Sequence, residues 1–114
     1  MRHMRKTSDL VNDMLKVAKN AYLVAIAVGF ENDTKFVFSS QKQPLQELNQ
    51  LIQKGGSPIG MLRFDKEDLQ IQGSFRLFEE YANEEWAKNY LAGLLDNTKE
   101  IISLSQQQSF PTAY

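Results

Sequence analysis

The stretch from Ala21 to Phe38 constrains the fold more than any other part of the chain. It opens with the uncharged run Ala-Tyr-Leu-Val-Ala-Ile-Ala-Val-Gly-Phe, turns through Glu31, Asn32, Asp33 and Thr34, and resumes with Lys35, Phe36, Val37 and Phe38. Read as a strand, it places Tyr22, Val24, Ile26, Val28 and Phe30 on one face and Leu23, Ala25, Ala27 and Gly29 on the other. Neither face is polar, so the strand belongs in the middle of a sheet. Asn32 and Asp33 accept turn conformations, and Phe36, Val37 and Phe38 return antiparallel to complete a hairpin. At about ten residues, the run is well short of the roughly 20 that cross a bilayer as a helix.

The elements on either side follow from their periodicities. Leu10, Val11, Met14, Leu15, Val17 and Ala18 make one helical stripe, with capping oxygens offered by Thr7, Ser8 and Asp9 and an end near Asn20 in a left-handed cap. A second, short helix begins at Pro44, carries Leu45, Leu48, Leu51 and Ile52, and stops at Lys54, Gly55 and Gly56, with Pro58 preventing continuation. Ile59 to Phe64 and Leu69 to Phe78 read as a second hairpin joined by Asp65 to Asp68. In its second strand Leu69, Ile71, Gly73, Phe75 and Leu77 share one face, and Gln70, Gln72, Ser74 and Arg76 the other. Gly73 marks a bulge or the close approach of another backbone.

A last helix starts between Glu79 and Asn83. Its stripe runs through Ala82, Trp86, Tyr90, Leu94, Thr98, Ile101 and Ile102, widened by Ala87, Leu91 and Leu95. On this reading Trp86 and Leu94 are the side chains whose loss threatens the fold. The tail from Ser105 to Tyr114 has no period and is expected to be mobile. Met1 to His3 is set aside because Met4 follows so closely.

The expected architecture is one α+β domain over residues 4–104, followed by the tail 105–114. It has two layers: a mainly antiparallel four-stranded sheet in the order helix, strand, strand, helix, strand, strand, helix, with the helices packed on one face. A chain of 114 residues with 42% hydrophobic side chains has room for one core. In element order alone it is similar to small profilin-like and roadblock-type domains, which serve as dimerising adapters.

The chemistry is bounded mostly by exclusion. Thirteen Lys and Arg against 14 acids leave a formal charge of −1, so no overall field draws in nucleic acid or an anionic membrane. The absence of cysteine removes disulfides, thiolate nucleophiles and zinc–cysteine sites, and suits the cytoplasm. The single histidine, His3, leaves no Ser–His or Cys–His pair and no two-histidine metal site. No catalytic residue, metal or cofactor is therefore expected, and an enzyme is not the leading reading.

Three clusters carry residues with possible chemistry. Glu79, Glu80, Glu84 and Glu85 could hold a hard cation, but acids also favour a helix start. Gly55 to Gly60 has the glycines of a phosphate loop, yet they follow a helix instead of opening one. Arg63, Gln70, Gln72, Ser74, Arg76 and Phe78 form the candidate partner surface on the polar face of the second hairpin. The leading expectation is a small non-enzymatic protein–protein interaction domain, homodimeric or part of a larger assembly. Its motive is the doubly apolar first strand, which two helices need not cover completely. The alternative is a nucleic-acid-associated accessory protein using the same polar face.

Overall fold

The computed structural model describes residues 5–109 and bears out the α+β class, the element order and the four-stranded antiparallel sheet. The elements are α1 (Thr7–Ala18), β1 (Leu23–Gly29), β2 (Thr34–Phe38), α2 (Pro44–Gln53), β3 (Ser57–Glu67), β4 (Gln70–Leu77), α3 (Glu85–Leu94) and α4 (Thr98–Ser109). A 3-10 turn at Glu79–Tyr81 precedes α3, and another at Leu95–Asn97 separates α3 from α4. The single long terminal helix read from the sequence is thus two. The second continues to Ser109, with Ser105 buried, so the order persists past the expected start of the tail. His3, Phe110 and Tyr114 lie outside the described residues.

The sheet order is β2-β1-β3-β4, every neighbouring pair antiparallel. β1 is central and dry on both sides: Leu23, Ala25 and Ala27 enter one apolar cluster, and Val24, Ile26 and Val28 enter another. The expectation that the helices share one face is corrected here. Leu10, Val11 and Met14 of α1 and Leu48 of α2 cover the even face of β1, while Ala87 and Leu91 of α3 and Ile101 and Ile102 of α4 cover the odd face.

The strand order supplies the reason. β2 and β3 both run antiparallel to β1 and flank it, so they are parallel to each other and α2 is a crossover that has to lie over one face. α1 packs beside α2 on that face. The other face of β1, equally apolar, falls to the C-terminal helices. β1 is therefore enclosed in the middle of three layers.

Local chemistry explains the connections. Asp33 closes the first hairpin: its carbonyl accepts from Phe30 N–H (2.8 Å) and its carboxylate accepts from Thr34 N–H (2.8 Å). That backbone bond, with the Lys35 ammonium beside it, holds the Asp33 carboxyl below its ordinary range. Helix α2 ends in a Schellman motif, Gly56 N–H bonding the Leu51 carbonyl and Gly55 N–H that of Ile52, both at 3.0 Å. Gly55 has φ +99°, and nothing lies within 4 Å of where its side chain would project. Gly55→Ala should therefore cost about 1–2 kcal/mol through backbone strain alone, read as a lower denaturant midpoint with an unchanged slope.

Two other turn readings change. Asn20 is not left-handed: among the described residues the positive-φ ones are Gly55 and, of the non-glycines, Asp68. β3 runs on to Glu67 and pairs with Gln70, leaving Asp68 and Leu69 as a two-residue turn instead of Asp65 to Asp68. Gly73 marks no bulge. It gives room to Leu95, whose Cδ2 would stand 2.8 Å from an added Cβ; the register shift in the sheet falls between Ala27 and Val28.

Candidate functional site

The six residues of the expected partner surface divide. Registers in the β3–β4 hairpin place Arg63 opposite Ser74, Asp65 opposite Gln72 and Met61 opposite Arg76, so Arg63, Gln70, Gln72, Ser74 and Arg76 do share one face. It is the face that α1 and α2 cover over β1, but those helices stop short of β4. Gln70, Gln72, Ser74 and Arg76 are exposed. Phe78 is not part of this surface. It follows β4, is buried with Leu10, Met14 and Met61, and its ring lies 5.4 Å from the Arg5 guanidinium.

The two arginines differ in freedom. Arg63 Nε donates to both Asp65 carboxylate oxygens (3.0 and 3.2 Å) and its Nη2 donates to the Asn20 carbonyl (2.9 Å), which fixes the head group within the protein. Arg76 lines a cleft of about 420 Å³ against α1 with Arg5, Asp13, Lys16 and Glu79, where the two signs of charge alternate. The uncovered face is therefore polar and of mixed charge, and Phe78 adds no ring to it.

The acidic group is also dispersed. Glu80 turns inward: Arg5 Nε lies 3.7 Å from one carboxylate oxygen, and Arg5 N–H donates to the other at 3.3 Å. Arg5 also bonds Asp13 (3.1 Å), so the start of α1 is tied to the 3-10 turn before α3. Glu79 and Glu85 are exposed. Among the described residues no group of three or more His, Asp and Glu side chains is placed to hold a metal ion. The Gly55 and Gly56 amides are taken up by the carbonyls of α2 and are not presented to a phosphate.

Sequence reasoning missed two features. One is an open groove of about 770 Å³ between α1 and α2, where Leu15 and Leu45 are partly exposed among Asn, Gln and Lys side chains. The helical stripes that announced these residues could not say that a groove opens between the two helices there. The other is Leu69, 97% exposed at the tip of the β3–β4 turn. Its alternation with Ile71 had assigned it to an inward face, but that face ends where the covering helices end.

Among the described residues no helix is long and apolar enough to cross a membrane. Compared with known proteins, the chain matches no family model, no curated protein and no solved structure.

Proposed function

We propose that the chain is a small non-enzymatic protein–protein interaction domain that acts as a homodimer or as a subunit of a larger assembly. The doubly apolar β1 does not carry this reading, because both its faces are covered by the protein's own helices. One observation does: β4 is an uncovered margin. It is eight residues long and in unbroken register with β3, with its polar face exposed and a nearly bare leucine at its turn. Isolated proteins usually blunt such a strand with charges, proline or a bulge, and β4 carries one charge, Arg76, and none of the others.

The opposite margin is blunted. β2 has five residues with Lys35 among them, and its Phe38 N–H is occupied by Gln41 Oε1 at 3.0 Å. The contrast supports a binding role for β4 in particular. Sedimentation of the purified chain from micromolar to millimolar concentration should show reversible self-association. A monomer throughout would contradict the homodimer.

The polar face gives little support to nucleic acid. Phe78 is withdrawn into the core and Arg63 is held by Asp65 and Asn20, which leaves Arg76 as the one unlocked arginine of the set. Stacking on aromatic rings and counterion release by several cations are what such binding needs. Fluorescence anisotropy with a labelled single strand should stay flat at low salt; a salt-sensitive rise would revive the nucleic-acid reading.

A further inference from the structure

The hydrogen bond from Phe78 N–H to the Ile59 carbonyl, 3.0 Å, fixes which way the backbone of β4 faces. Residues 78 and 59 are opposite one another when the β3–β4 register is continued by one position. In antiparallel pairing such bonded residues alternate with unbonded ones, so Arg76, Ser74 and Gln72 turn their N–H and C=O toward β3. Leu77, Phe75, Gly73 and Ile71 turn theirs outward. Among the described residues no hydrogen bond reaches those outward groups.

We infer that the outer edge of β4 pairs antiparallel with the β4 of a second copy, about a two-fold axis through Gly73, joining two sheets into one. This deepens the interaction-domain reading and rests on it. The choice of a second copy follows from self-complementarity. A two-fold perpendicular to the sheet keeps each face on its own side, so opposite residues have the same parity. Centred on Gly73, the register sets Ile71 opposite Phe75 and Leu69 opposite Leu77 on the apolar face. On the other face it sets Gln72 opposite Ser74 and Gln70 opposite Arg76. Apolar meets apolar, polar meets polar, and no like charges face each other.

The pairing completes the burial of side chains that the single chain leaves partly exposed. Ile71, Phe75 and Leu77 are only partly buried, and each gains an apolar neighbour across the new seam. Leu69, bare in the single chain, gains Leu77 of the second copy. Ile71, Gly73 and Phe75 of both copies exchange about six backbone hydrogen bonds. With a net charge of −1, the copies have no strong repulsion to overcome. The contact is a single strand pair at the small end of specific interfaces, so the dimer should be reversible.

The chain has no cysteine, which makes paired cysteines a clean test. Gln72 and Ser74 are both exposed, and opposite positions of this unbonded kind have Cα atoms about 4.5 Å apart, close enough for a disulfide. Under mild oxidation a mixture of Gln72→Cys and Ser74→Cys chains should cross-link, while each variant alone should stay uncross-linked. Cross-linking by Ser74→Cys alone, or none in the mixture, would overturn the proposed pairing. If the mixture fails while the unmodified chain still sediments as a dimer, this edge is wrong and the interaction reading stands. As a second measure, Gln72→Glu with Ser74→Glu sets carboxylates face to face across the seam and should weaken association at least about tenfold. Adding the matching Gln72→Lys, Ser74→Lys chain should restore it, and no effect of either would contradict the pairing.

Discussion

Leu91→Ala should remove about 3–5 kcal/mol of stability, a large part of the roughly 5–15 kcal/mol that holds a domain of this size. Leu91 is fully buried on the face of α3 that meets the sheet, in one cluster with Ala27, Leu62 and Ile101. Truncation leaves a cavity that neither the sheet nor α4 can close without moving. The melting temperature should fall by roughly 12–20 °C. Trp86→Ala on the same helix should cost far less, about 1 kcal/mol, because the indole is 53% exposed and its ring contact is an edge-on pair with Tyr81 at 5.7 Å. Equal losses from the two variants would mean that α3 faces the sheet differently.

Gly60→Ala should be the most damaging change of comparable size. An added Cβ would stand 2.5 Å from the Arg76 carbonyl oxygen and 2.6 Å from Leu91 Cδ1. Leucine can shift; the carbonyl belongs to β4, paired with β3 at this point, and cannot yield without parting the strands. A destabilisation of about 3 kcal/mol is expected from overpacking alone. Because the clash is at the β3–β4 seam, the variant should also lose amide protection in β4 before β1. Thermal unfolding indistinguishable from the parent protein would show that the α3–sheet spacing is looser than described.

The same pair of residues shows what was legible in the sequence. Alternation at period two assigned both faces of β1 and, Leu69 apart, both faces of β4 correctly, because a one-residue slip would put glutamines and an arginine in the core. Helical phase was harder. Trp86, Tyr90 and Leu94 make one stripe of α3 and Ala87 and Leu91 an adjacent one, and size favoured the tryptophan. Gly60 decides the matter: the gap above it admits Leu91, which lies deep, and turns Trp86 to the rim. That contact joins residues far apart in sequence, so no local pattern carries it.

The layering was misjudged although its signal was present. Two dry faces on β1 ask for cover on both sides, and the crossover from β2 to β3 commits α2 to one of them. The candidate surface was legible in its polar members, because Gln70, Gln72, Ser74 and Arg76 alternate with apolar residues. Phe78 was misassigned because α1 covers that end of the polar face: the pairing continues to Phe78, whose N–H bonds Ile59, but its side chain lies under Leu10 and Met14. The open outer edge of β4 could not be read from sequence, since strand order decides which strands have two neighbours.

The central claim is that the outer edge of β4 is a margin open to another chain. Amide hydrogen exchange by NMR at low and high protein concentration tests it residue by residue. Gln72, Ser74 and Arg76, bonded to β3, should be protected at both concentrations; Ile71, Gly73 and Phe75 should exchange quickly when dilute and become protected when concentrated. Rapid exchange of those three amides at every concentration would contradict the claim.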